Sequence, residues 1–174
     1  MKFMLIISAL LLAAVALPQI SSLFKWGGER FANSLLVNTT KMGLKTYLSD
    51  VAINARWLLV VGGSDSNHVN IAGAGSQPIG VCRDQIPPED IASGDLSYPL
   101  GIILFGLNPD TVRVIAAAAI AEWALLVPAA NGQVQTLPVA AGTYWVIGRA
   151  ASAAAAAGDQ VELIHTLPYK VVVA

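Results

Sequence analysis

Two histidines, one cysteine and a cluster of carboxylates are the residues of this chain whose types can do chemistry. His68 and His165 lie far apart, each within an alternating apolar run. An imidazole in that setting reads as a surface or half-buried strand residue rather than a ligand or general base. Cys82 ends the apolar run Ile79-Gly-Val-Cys82 and reads as a small core residue. Being the sole cysteine, it excludes an intramolecular disulfide and a cysteine-based metal site. Asp84, Glu89, Asp90 and Asp95 gather in one polar stretch, and hard cations such as calcium prefer oxygen ligands. Their spacing matches no calcium loop, so the stretch reads as a solvated loop. Gly73-x-Gly75 with Gly80 has the wrong spacing for a phosphate loop, contains Pro78 and is followed by no helix. Serines are present, but no nucleophile elbow accompanies them. The expectation is a protein that is not an enzyme, with no catalytic residue, no cofactor and no metal.

The elements that carry these residues are short. Apolar runs at 57–61, 68–71, 79–82, 101–105, 111–115, 122–127, 143–147, 161–164 and 171–174 are rich in β-branched and aromatic residues, with Gly and Pro between them. Asn131-Gly132 marks a hairpin between Val127 and Val134. The residues 116–121 read as a tight crossing rather than a helix. The stretch 84–99, with Pro87-Pro88 and Ser93-Gly94-Asp95, reads as a loop. The alanine tract 150–157 buries too little area to be a core helix, and reads as one or two helical turns or a close-packed connection ending at Gly158. About eight short strands without a sustained helix predict an all-β fold, a small β-barrel or β-sandwich, over residues 57–174.

Two segments precede that domain. Residues 1–24 hold one lysine and then FMLIISALLLAAVAL, in which only Ser8 is polar. Three readings stand: a retained hydrophobic helix in protein contacts, a signal peptide with Ala14-Val15-Ala16 as its cleavage site, or a membrane anchor. The apolar run is short for a span of roughly 20 residues unless it continues past Pro18. Residues 25–56 have no sustained apolar period and read as an extended arm that orders on another surface.

Charge supports a chain meant for contacts. Of the 174 residues 55% are apolar and 12% charged, about half the charge usual for soluble domains, so much of the surface is expected to meet protein or lipid. The net charge of −1 supplies no basic field for nucleic acid. Residues 1–60 nevertheless carry Lys2, Lys25, Arg30, Lys41, Lys45 and Arg56 against Glu29 and Asp50. A basic arm on an acidic body suits docking between subunits of opposite sign. Trp26, Trp57, Trp123, Tyr144, Trp145 and Tyr169 lie in or beside strands and read as core and interface anchors, not as a base-stacking platform.

Three stretches carry a resemblance: ARWLLVVGG, AGAGSQPIGVCRDQ and the close AAGTYWVIGRAASAAAAAGDQVELIHTLPYKVVV. Their order, with TVRV and the Asn-Gly hairpin between them, resembles the capsid cement, or head decoration, proteins of tailed bacteriophages. The resemblance implies a virion protein on the outer capsid surface, often a homotrimer, that clamps neighbouring copies of the major capsid protein. On that expectation Lys41, Lys45 and Arg56 meet acidic shell surface, while Trp57, Trp123, Tyr144 and Trp145 anchor the body or the trimer contact. Residues 1–24 depart from the family pattern. They keep open a second expectation, a secreted or membrane-anchored β-domain of a cell envelope.

Overall fold

In a computed structural model of the chain, residues 43–107 and 110–174 are described. The hydrophobic segment 1–24, most of the predicted arm and Lys41 lie outside the described residues.

Five strands close a barrel: β1 (Leu44–Ser49), β2 (Leu58–Gly62), β3 (His68–Ile71), β4 (Gly80–Cys82) and β5 (Leu100–Leu104), in the order β1-β3-β2-β4-β5. β1 closes it, running parallel to β3 and antiparallel to β5, with Leu44 opposite Ile103 and Tyr47 opposite Leu100. Between β4 and β5 lies one short helix, α1 (Pro88–Ser93), opened by a proline whose missing N–H costs nothing in a first turn. Five further strands form an antiparallel sheet: β6 (Val112–Ile115), β7 (Leu125–Pro128), β8 (Val134–Thr136), β9 (Gly142–Ala150) and β10 (Gln160–Val173), ordered β6-β10-β9-β7-β8.

Two cores hold the body together. Ile53, Leu58, Val60, Val69, Cys82, Ile86, Leu100 and Ile102 make one, drawn from the barrel strands and the loops beside them. Leu59, Val81 and Phe105 from the barrel side meet Val112, Val114, Leu126, Ile147 and Leu163 of the sheet in the other. β2 therefore sends Leu58 and Val60 to one core and Leu59 to the other, which is why its run has no polar alternation. The β7–β8 turn (Ala130–Gly132) is part of the same junction. Asn131 and Gly132 both have positive φ, 57° and 71°, the conformation that an Asn-Gly pair supplies cheaply. Gly132 N–H donates to the Ala72 carbonyl at 2.8 Å.

The structure corrects several expectations. There are ten strands among the described residues, not about eight. The extended arm predicted to residue 56 ends earlier, because Leu44–Ser49 is a barrel strand. That segment mixes Lys45 and Thr46 with its apolar residues, so its own pattern is weak, and its partners on β3 and β5 lie far along the chain. The loop 84–99 contains α1. The alanine tract forms no helix; Ala154 bridges to Ile120, giving the close-packed connection instead. The two C-terminal runs are one strand, β10, with a register shift between His165 and Tyr169. Pro168 sits in that irregularity, where a ladder N–H is not required.

Candidate interaction surface

The sheet is unevenly completed. β6 accompanies β10 only from Gln160 to Leu163, and β7 meets β9 only at Arg149 and Gly148. Beyond those points β9 and β10 pair with each other alone, Tyr169 opposite Val146 through Val173 opposite Gly142. The result is a two-stranded ribbon, 142–146 with 169–173, flanked by no other strand among the described residues. Such ribbons are marginal in water by themselves.

Period-two geometry sorts its side chains into faces. Tyr144, Val146, Tyr169, Val171 and Val173 share one, on which there is no charge. Thr143, Trp145, Lys170 and Val172 share the other. Lys170 Nζ lies 5.0 Å from the centre of the Trp145 ring, close enough for cation–π attraction. The Tyr144 hydroxyl donates to the Ala140 carbonyl at 3.1 Å. Val172 is 76% and Tyr169 45% exposed, so apolar area remains in water at the end of the ribbon.

Of the residues expected at an interface, only Tyr144 and Trp145 share an element. Lys45 lies on β1 with its ammonium 4.5 Å from the Tyr47 ring centre. Arg56 is exposed in the β1–β2 connection. Trp57 is half-buried against the core between barrel and sheet, with φ 67° and its N–H on the Cys82 carbonyl at 2.7 Å. Trp123 is 57% exposed and also has positive φ, 66°. That conformation costs a bulky residue about 1–2 kcal/mol. It is offset by the Trp123 N–H on the Ala150 carbonyl and by Arg149 Nη1 donating to the Trp123 carbonyl, 2.8 and 2.9 Å. Reading the chain alone missed Lys170, Val171 and Val172 as ribbon partners of Tyr144 and Trp145. The apolar run Val171–Val173 beyond Lys170 was the available signal.

The residues suited to chemistry are dispersed. Cys82 is buried in the barrel, and burial pushes its thiol up to about 12, so it stays protonated and inert. Asp84 is occupied by the Gly101 N–H at 3.0 Å. Among the described residues no three His, Cys, Asp or Glu side chains are gathered as a metal cluster. His68 Nδ1 pairs with Asp65 Oδ1 at 2.8 Å, but the nearby Ser64 hydroxyl donates to Asp50 instead, at 2.7 Å. No helix among the described residues is long and apolar enough to cross a membrane.

The two histidines respond to pH with opposite sign. The Asp65 hydrogen bond raises His68 above its ordinary value of 6.5, so its contribution is complete below that value and is lost as pH rises through the folded value. Burial lowers His165, whose Nδ1 accepts the Gly106 N–H at 3.2 Å beside the Phe105 ring, with the Asp110 backbone acting in the other direction. Its contribution is complete above 6.5 and is lost as pH falls. His165→Gln is expected to flatten the fall in melting temperature between about pH 7 and pH 5. His68→Gln, at an exposed site, is expected to leave that acid limb in place. Thermal melts across pH check both, and an acid limb unchanged in His165→Gln refutes the assignment.

No family model and no curated protein matches the sequence. Among solved structures, the head fiber gp8.5 N base of bacteriophage phi29 is similar, with a TM-score of 0.52 and 18% identity. The match covers 72% of this chain and 94% of that one. At that identity the likeness is one of fold: the architecture of this body is also that of a phage head-fiber base.

Proposed function

We propose that this chain is a structural protein of a phage virion whose β-body sits on the outer capsid surface as a homotrimer and bridges neighbouring copies of the major capsid protein. The single observation that carries the reading is the fold shared with a phage head-fiber base over most of both chains. The sequence resemblance to capsid decoration proteins and the 12% charge content support it independently. The work done is burial of apolar surface at about 25 cal/mol per Å2, offset by the ordering that association demands. Basic residues before and within the barrel, Lys41, Lys45 and Arg56 among them, meet acidic shell surface. No catalytic step, cofactor or nucleic acid enters this reading.

The apolar run in residues 1–24 favours one other reading, a β-domain tethered to a cell envelope. Gradient-purified virions of the encoding phage, labelled with antibody against the β-body and viewed by electron microscopy, decide between them. Labelling on the outside of intact heads is the expected result. A protein absent from particles and sedimenting with membranes would overturn the capsid role in favour of the envelope.

A further inference from the structure

Among the described residues, neither outer edge of the ribbon of β9 and β10 is paired by another strand. Soluble proteins ordinarily blunt such edges with prolines, bulges or charges. From 169 to 173 this one carries Tyr-Lys-Val-Val-Val, and its lone charge stands over Trp145 on one face.

We propose that the ribbon joins copies of this chain head to tail, the β10 edge of one against the β9 edge of the next, so that three ribbons close a small barrel. The inference rests on the homotrimer in the function proposed above and names the segment that builds it. A two-fold pairing satisfies one edge of each ribbon and leaves the other open, whereas a heterologous contact repeated around a ring satisfies both. Around a three-fold axis along the strands every β9 points one way and every β10 the other. Each contact between copies is therefore antiparallel, as the pairing within each copy already is.

Three ribbons supply about six strands, enough to close when this body closes with five, while two ribbons supply about four. The face of Tyr144, Tyr169, Val171 and Val173 bears no charge and turns inward without burying one. Tyr169 is 45% exposed and Tyr144, Val171 and Val173 are partly exposed, so this face still has apolar area to bury when enclosed. Lys170 and Thr143, on the opposite face with Trp145 and the 76% exposed Val172, stay in water.

The test uses the full chain, by native mass spectrometry and sedimentation, with hydrogen exchange at the ribbon amides. Three copies are expected for the wild type and for Val172→Asp on the outer face. A single copy is expected for Val171→Asp on the inner face, with unchanged far-UV circular dichroism. Amides in 142–146 and 169–173 should exchange at least about tenfold faster in that variant than in the trimer, since pairing on both edges protects them. A monomeric wild type, or a Val171→Asp trimer, overturns the proposal. Should Val171→Asp misfold, the wild-type trimer decides alone: ribbon amides exchanging as open edges would reject the ring. An extended peptide of another protein on the edge would show as protected amides in a monomeric complex, and that also rejects it. A monomer that still labels the outside of virion heads sinks the ring and spares the capsid role. A trimer absent from virions does the reverse.

Discussion

Gly148→Ala is expected to lower the melting temperature by roughly 10–20 °C, or to yield no folded protein. A Cβ built at Gly148 lies 2.0 Å from the Ile164 carbonyl oxygen and 2.9 Å from Leu163 Cδ1. The φ of 151° is one that side chains rarely adopt. Backbone cannot move aside as the tip of a side chain can, because Ile164 is paired with Arg149 in the adjacent rung. Steric overpacking and φ strain together cost roughly 3–5 kcal/mol, a large share of the 5–15 kcal/mol that holds a domain folded. Gly73→Ala is the control, since a Cβ there meets nothing within 4 Å. Circular dichroism melts compare the two. A shift of only a few degrees in Gly148→Ala would show that β9 and β10 do not approach as closely as their registry requires.

Leu59→Ala is expected to cost about 3–5 kcal/mol, because its side chain is fully buried and the walls around it belong to two sheets. Val81 and Phe105 on the barrel side, and Leu126, Ile147 and Leu163 on the other, have no freedom to collapse into the cavity without separating the layers. Leu59→Met, which conserves volume, should cost less than about 1.5 kcal/mol. Urea unfolding supplies the measurement. One transition that moves to a lower midpoint with unchanged slope is the expected outcome, since the shared core couples barrel and sheet. Two transitions, only one of them displaced, would mean that the layers fold independently.

Several features were readable from residue order because they are local. The run at β2 is apolar at consecutive positions since both of its sides are enclosed, and this marks a buried strand in any fold. Asn131-Gly132 announced its turn because few other pairs tolerate positive φ at both positions. Cys82 read correctly as core because its neighbours are apolar. β1 did not announce itself. Its strand character comes from β3 and β5, some twenty and some fifty-seven residues onward by the register Leu48–His68 and Lys45–Ile102, and loop closure between distant segments leaves no local trace.

Composition and local pattern thus determined a β-rich, sparsely charged chain, since hydrophobic periodicity and turn chemistry act over a few residues. Which aromatic residues stand together was decided only in three dimensions. Trp57, Trp123 and Trp145 look alike along the chain, yet one is half-buried against the core, one is exposed on a loop, and one lies on the ribbon. The ribbon itself exists because β6 stops at Leu163's partner and β7 leaves β9 after Gly148. Where a strand loses its neighbour depends on the paths of other strands, and no property of its own residues encodes that.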